Sequence, residues 1–270
     1  PPSGFLALCT SNLPDPEIAL PAEHFNTILW TGDDTNPRAL TGVGFQPDLV
    51  WAKARSVSAS HKQLDSVRGG PASLTSNNTN AETTNDSSGI IDSFDTDGFT
   101  TEGSLDNNNF NLAPRTYVSW NWKAGGAPTV DNSAGAGATP TAGSVKIDGS
   151  NLGSALAGSI AATRLSANTT NGMSIVSYVG NDTAGATIAH GLSQAPNLII
   201  VKDRTSAYAW KVGSSSMNPT SPWNYWMQLN DEEPAVDGSA DIWNDTAPSA
   251  SIFTIGDHVT INTDTDNFIA

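Results

Sequence analysis

Two stretches of the chain are nearly alike and decide how it folds: PDLVWAKAR at residues 47–55 and PNLIIVKDR at residues 196–204. Each begins with a proline, continues as an apolar run of strand length and ends on an arginine. Apolar and β-branched residues bounded by proline and by charged side chains are typical of a β-strand. A strand that recurs in this way predicts two copies of one β module.

Other segments repeat in the same order around these two strands. WTG at residues 30–32 matches YVG at 178–180, and YVS at 117–119 matches FIA at 268–270. Gly42 and Gly191 each stand five positions ahead of the proline of their copy. We therefore expect the modules to superpose.

The equivalence makes specific predictions about single residues. Pro47 should correspond to Pro196 at the start of a strand, and Lys53 should correspond to Lys202 at its end. Trp51 and Ile200 occupy matching positions in apolar runs, so we expect both side chains to be largely buried.

The composition also favours strands. Hydrophobic residues make up 37% of the chain and charged residues 14%, while Gly and Pro number 24 and 16. Gly, Ser and Asn weaken helices and suit turns between short strands. The predicted fold is all-β, with two consecutive jelly-roll-like β-sandwich modules joined by a linker rich in Gly, Ala, Ser and Thr.

The predicted domain boundaries follow from this pattern. They are a Pro-rich leader at 1–24, a first module at 25–126, a linker at 127–172 and a second module at 173–270. Within the linker, Leu152, Leu156 and Ile160 have the spacing of one face of a short helix. The second copy ends at Ala270, before counterparts of Trp120 and Trp122, so we expect the native chain to continue and the second module to be truncated at its last strand.

Charge and cysteine content exclude several classes of function. Twelve Lys and Arg against 27 Asp and Glu give a net charge of −15. This sign disfavours nucleic acids and anionic membranes as partners, and no apolar run is long enough for membrane insertion. The single cysteine, Cys9, excludes a disulfide within the chain.

Motifs for catalysis are absent, so we predict no enzyme activity, no catalytic residue, no cofactor and no metal. Three weaker alternatives remain open. His61 and Asp65 could orient each other, and Asp95-Thr96-Asp97-Gly98 resembles the start of a calcium loop but is followed by Phe99 and Thr100, against the EF-hand pattern. Paired carboxylates could support glycoside hydrolysis. The acidic candidates are Asp33, Asp34, Asp65, Asp95, Asp97, Asp237 and Asp241.

The tryptophans fall into two groups. Four lie in predicted strands and are interpreted as structural: Trp30, Trp51, Trp120 and Trp122. The group Trp223, Tyr225 and Trp226, flanked by Pro222 and Asn224, is the candidate contact site. Exposed aromatic rings stack on sugars, and buried ones dominate cores and interfaces. Both a glycan or subunit contact and a core role therefore remain open for these three residues.

Several motifs resemble a repeat module of large structural proteins of bacteriophages of marine and freshwater bacteria. They are GVGFQPDLVWAKAR at 42–55, DSVRG at 65–69, SFDTDGF at 93–99 and YVSWNWKAGG at 117–126. The opening GFLALCT at 4–10 resembles the segment that follows a lectin-like sandwich of concanavalin A or SPRY type in such proteins. The second copy keeps the PNLIIVK core but lacks the DSVRG and SFDTDGF motifs.

The resemblance implies a structural protein of the virion, in a tail fibre, tail spike or capsid-surface appendage. It would be located in the extracellular particle and assemble with other copies of itself and with other virion proteins, and its partners could include host-surface polysaccharide. The alternative functions are a secreted carbohydrate-binding or polysaccharide-depolymerising protein and a bacterial surface adhesin.

Overall fold

The computed structural model describes residue 16 and residues 18–84, 90–102, 110–238 and 240–270, and this part of the chain is almost entirely β. The GFLALCT motif and most of the predicted leader lie outside the described residues. In the first half the strands are β1 (Phe25–Thr31), β2 (Arg38–Thr41), β3 (Leu49–Ala54), β4 (Lys62–Asp65), β5 (Leu74–Thr75), β6 (Ile90–Asp95), β7 (Gly98–Glu102) and β8 (Thr116–Trp122).

The second half contains eleven further strands among its described residues. They are β9 (Val145–Ile147), β10 (Ser150–Asn151), β11 (Ala162–Asn168), β12 (Met173–Val179), β13 (Ala186–Ala189), β14 (Leu198–Asp203), β15 (Lys211–Ser214), β16 (Tyr225–Gln228), β17 (Val236–Asp237), β18 (Ile252–Ile255) and β19 (Asn267–Ile269). A four-residue helix, α1 (Val259–Asn262), precedes the last of them. No helix in the described part of the chain is long and apolar enough to cross a membrane.

The first module is a two-layer sandwich. An antiparallel sheet in the order β1-β8-β3-β4-β5 packs on a smaller sheet in the order β2-β7-β6. Val50 and Ala52 of β3 are fully buried between the layers, whereas Trp51 and Lys53 face the other way and are half-buried. This alternation is what a strand with one face on the core should show.

The second module repeats this arrangement. Its strands β12-β19-β14-β15-β16 follow the order β1-β8-β3-β4-β5, and β13-β18 takes the place of β2-β7. Pro47 and Pro196 each precede a strand by two positions, and Lys53 and Lys202 are each the penultimate residue of that strand. The prediction of an all-β fold with two repeated modules is confirmed.

The same aromatic stack lies in each core. Trp30 stacks on Tyr117 with ring centroids 5.3 Å apart, and Tyr178 stacks on Phe268 at 5.2 Å. The Trp30 indole donates to the Phe110 carbonyl at 2.7 Å, and the Tyr178 hydroxyl donates to a backbone carbonyl of α1 at 2.8 Å. The repeat therefore extends to hydrogen bonds that join distant parts of each module.

A buried asparagine follows each of these carbonyls. The Asn111 amide donates to the carbonyl of Thr35 at 2.7 Å, and the Asn262 amide donates to that of Thr183 at 3.0 Å. Each asparagine thus holds the loop that follows the first strand of the repeated sheet order, β1 or β12, although the two loops have little sequence in common.

The prediction of a linker at 127–172 is wrong for residues 145–168, which contain β9, β10 and β11. The predicted helix is absent from this range. β11 pairs with β12 on one side and with β9 on the other, so these strands extend the second sheet. The many small residues here serve close packing, and Ala162, Leu165 and Ala167 are buried.

The last strand lies in the middle of its sheet. β19 pairs with β12 and with β14, and Phe268 and Ile269 are buried. The expectation that the native chain continues beyond Ala270 stays a prediction.

Candidate functional site

The two modules pack face to face through the outer sides of their large sheets. An apolar cluster joins them: Val67, Leu74 and Ala124 come from the first module, and Ile175, Trp210 and Ile269 come from the second. The buried Trp210 indole also donates to the carbonyl of Thr75 at 3.1 Å. The modules therefore form one continuous unit.

Trp51 and Ile200 both line a cavity between the two modules. Both were expected to be largely buried, but both are half-buried. They sit on the outer face of their sheets and meet the opposite module instead of their own core. The expectation that both are largely buried is wrong, since an apolar run without polar alternation does not reveal which face of a strand packs in the core.

A buried ion network crosses the interface. The Arg68 guanidinium lies 3.0 Å from the Glu82 carboxylate and 2.5 Å from that of Asp65. Arg204 of the second module contacts Glu82 at 2.8 Å. The side chains of Arg68 and Glu82 are only 1% and 6% exposed. Burial alone would raise the pKa of Glu82, but the hydrogen bonds and charges of Arg204 and Arg68 lower it overall.

Asn171 makes a second polar contact between the modules. It lies in the turn between β11 and β12, and its amide nitrogen donates to the Lys123 carbonyl at 2.8 Å. The same nitrogen lies 3.3 Å from Nδ1 of His24. Lys123 and His24 are themselves joined by a backbone hydrogen bond of 2.9 Å. One side chain thus contacts both the segment before β1 and the segment after β8.

A cavity of about 300 Å³ lies in this interface. The first module lines it with Leu49, Trp51, Gln63, Asp65, Arg68 and Trp122. The second module contributes a mainly aliphatic wall that includes Met173, Ile175, Leu192, Leu198, Ile200 and Ile269. Volumes of this order are at the lower end of those of small-molecule sites.

Most polar groups around the cavity are occupied. Both carboxylate oxygens of Asp65 accept from Arg68, through its backbone N–H and its guanidinium. The His190 ring accepts from the N–H of Leu192 and lies 3.1 Å from the Ser249 carbonyl, and burial lowers its pKa. Two groups differ. The buried Nε1 of Trp51 has no hydrogen-bond partner. The Gln63 carboxamide makes no hydrogen bond to another described residue.

The three residues of the predicted aromatic contact site lie in different environments. Trp223 is 5% exposed and packs edge-to-face on Trp243 in the second core, so its ring is not available to a glycan. Tyr225 and Trp226 are half-buried on β16. The Trp226 ring lies 3.4 Å below Nζ of Lys211, and burial lowers the pKa of that lysine to about 8. Contact roles for Tyr225 and Trp226 stay predictions.

The alternative catalytic groups are mostly bound within turns. Asp65 is held by Arg68 rather than by His61. Asp97 accepts the backbone N–H groups of Gly42 and Gly44, while Asp95 accepts from two hydroxyls. No group of three or more His, Cys, Asp or Glu within the described ranges is arranged to hold a metal ion.

A protein-family model described as "Domain of unknown function (DUF7483)" matches residues 20–149 and matches again at residues 146–270. The chain belongs to this family. The second DUF7483 match begins within β9, which agrees with the assignment of β9–β11 to the second module. No curated protein and no solved structure matches the chain.

The two DUF7483 copies differ at the end of the repeated strand, where Lys53-Ala54 becomes Lys202-Asp203. Lys202 and Asp203 are both fully buried. The Lys202 ammonium donates to the carbonyls of Asp203 and Ser206 at 2.5 and 3.2 Å. Burial lowers the pKa of Lys202 to about 8 and raises that of Asp203 to about 6, and Oδ2 of Asp203 has no hydrogen-bond partner.

Replacing Asp203 with asparagine is expected to raise the melting temperature at pH 8 and to change it little at pH 4. A folded-state pKa raised from 3.8 to about 6 means that the folded protein loses stability as the pH rises through this interval. The amide keeps the oxygen that accepts from Thr205 and Ser206 and carries no charge. Glu233→Gln, at an exposed carboxylate, is the control. Equal changes at both pH values would contradict the assigned cause.

Sequence reasoning missed the cavity, although one signal for it was available. Leu49, Trp51 and Trp122 are large apolar residues that alternate with core residues on β3 and β8. Strands that are apolar on both faces indicate a sheet covered on both sides. The second DUF7483 module supplies that cover.

Proposed function

We propose that this chain is a non-enzymatic structural protein of a bacteriophage virion, within a tail fibre, tail spike or capsid-surface appendage. It would act there with other copies of itself and with other virion proteins. The observation that carries the proposal is the tandem repeat, in which two DUF7483 modules are fixed to each other by an apolar cluster and a buried ion network. A rigid repeated unit suits a part that spaces and holds other parts. The sequence resemblance to phage structural repeats supports the same assignment.

Fractionation of particles tests this proposal. An antibody raised against the chain is used to probe purified virions on a density gradient and to label them for electron microscopy. We expect the antigen to sediment with infectious particles and the label to lie on an appendage. Recovery of the antigen only in the soluble secreted fraction would overturn the proposal.

A secreted carbohydrate-binding protein is the second candidate, and it is favoured by tryptophans of the first module that stay partly exposed beside the second module. Trp51 pairs across the strands with Trp120, and Trp122 lies in the adjacent row and contacts Phe25 at 5.0 Å between ring centroids. Rings placed side by side on a sheet can stack on sugars. The same gradient decides between the two candidates, because a secreted binder would not sediment with particles.

A further inference from the structure

We propose that the cavity between the modules binds one neutral sugar residue of a glycan, in contact with Trp51, Gln63 and Trp122. The inference adds a ligand to the proposed function and rests on it only for the source of the glycan. The site is distinct from the predicted contact group at Trp223, Tyr225 and Trp226.

The geometry of the first sheet places the polar and aromatic groups together. Gln63, Trp51 and Trp120 are successive partners across β4, β3 and β8, so they form one row on the outer face. Asp65, Leu49 and Trp122 form the next row. Neighbours within a row lie about 4.5–5.5 Å apart at Cβ, and the two rows are two residues apart, about 6.5–7 Å along the strands, so a ligand of one ring can reach both rows.

One buried donor at the cavity lacks a hydrogen bond, and one polar side chain that lines the cavity makes none to the described residues. Nε1 of Trp51 is buried without an acceptor. The Gln63 carboxamide, which can donate and accept, has no partner among the described residues, and the residue is only 9% exposed. Leaving a buried donor such as this indole N–H unpaired is costly. A ligand with hydroxyl groups would satisfy both, whereas a purely aliphatic ligand would leave the indole N–H unpaired.

The rest of the lining fits the apolar side of a sugar. The rings of Trp51 and Trp122 offer apolar surface of the kind that covers C–H groups. Leu49, Ile175 and Ile200 complete an aliphatic wall. This combination of a few polar groups and much apolar surface is usual in small-molecule sites.

Charge selects a neutral ligand. Asp65 and Arg68 neutralise each other at the edge of the cavity, and the chain carries a net charge of −15. Anionic sugars are repelled by such a charge. The second module cannot form the same site on its own sheet, since Ile200 replaces Trp51 and Val212 lies where Gln63 lies in the first. One site per pair of modules is therefore expected.

Titration calorimetry of the full chain with methyl glycosides of glucose, galactose, mannose and N-acetylglucosamine tests the proposal. We expect saturable binding of at least one of them, with a stoichiometry of one and a Kd near 1 mM. Trp51→Phe keeps a ring but removes the donor, so we expect binding to weaken about fivefold or more. Gln63→Met should weaken it similarly. Tyr208→Phe also removes one hydrogen-bond donor from an aromatic side chain, but at an exposed position outside the cavity, and should leave binding unchanged.

Circular dichroism and the melting temperature establish that each variant is folded. Absence of saturable binding to all four glycosides at 50 mM, roughly fifty times the expected Kd, would overturn the proposal. So would unchanged binding by folded Trp51→Phe, or binding of hexanol to the cavity in place of the glycosides. These outcomes leave the location of the protein in a particle untouched, because the gradient experiment involves no sugar.

Discussion

Replacing Glu82 with glutamine is expected to lower the free energy of unfolding by about 3–5 kcal/mol, because it leaves two guanidinium groups with one carboxylate and so one buried positive charge uncompensated. Arg68 is 1% exposed and would keep Asp65 as its single carboxylate. Glutamine keeps one acceptor oxygen, so Arg204 would lose one of its two hydrogen bonds of 2.8 and 2.9 Å to the carboxylate and would face an amide NH2 group in its place. Urea denaturation followed by tryptophan fluorescence measures the loss.

Asp131→Asn is the matched control for this variant. It removes the partner of Arg164 in an ion pair whose carboxylate is 67% exposed. Exposed pairs contribute at most about 1 kcal/mol, so the control should unfold nearly as the parent does. If both variants lose the same amount, burial of the network does not govern its contribution.

The pH dependence of this difference has a definite sign. The folded-state pKa of Glu82 is lowered, so its contribution is fully present above the unfolded pKa of about 4.3 and is lost as the pH falls through the lower folded value. The parent and Glu82→Gln should therefore differ most at neutral pH and converge in acid. A difference that stays constant down to pH 2 would show that charge is not the cause.

Replacing Phe268 with alanine is expected to destabilise the second module by about 3–5 kcal/mol, the usual cost of removing a fully buried phenylalanine. Phe268 is 0% exposed, lies on the central strand β19 and stacks on Tyr178. A second, earlier unfolding transition in scanning calorimetry is the expected observation.

Phe25→Ala makes the same chemical change on the edge strand β1, where the ring is 41% exposed and contacts Trp122. We expect a loss of about 1 kcal/mol from that contact. Comparable losses in the two variants would mean that β19 does not complete the core of its module.

The repeat could be read from the sequence because its defining strand is covered on both faces. Val50 and Ala52 pack into the sandwich, while Leu49 packs on the other module and Trp51 lines the cavity between the modules. The whole run is therefore apolar and stands out in each copy. The ion network is one place where the copies differ. Asp65 and Arg68 belong to the DSVRG motif of the first copy, which the second copy lacks, and the second copy contributes Arg204 instead.

The strands at 145–168 could not be predicted, since small residues are typical both of flexible linkers and of strands whose backbones pack closely. A segment rich in Gly, Ala and Ser cannot bury much apolar surface by itself. Here the small residues allow a close approach of backbones. A Cβ added to Gly125 would lie 2.4 Å from the carbonyl oxygens of both Lys146 and Ala167.

The candidate site was out of reach for a different reason. Its members lie at distant positions of the chain, and the motifs that contain Trp51, Asp65 and Trp122 do not reveal that these residues meet. What marks Trp51 is a buried indole N–H without a hydrogen bond, which only the folded arrangement reveals. The aromatic group at 223–226 was visible because it is local in sequence, yet Trp223 is a core residue.

The contacts of Asn171 determine how the first module would respond to a pulling force. Phe25 and Trp122 are paired at the same end of the ladder between β1 and β8. Tension applied along the chain at these two residues would separate the strands one hydrogen bond after another, which is the arrangement that resists least. Asn171 lies across this end and contacts His24 and the Lys123 carbonyl. We therefore expect the strands of the first module to separate only after these contacts of Asn171 are broken, so that a side chain of the second module adds to the force at which the first one opens.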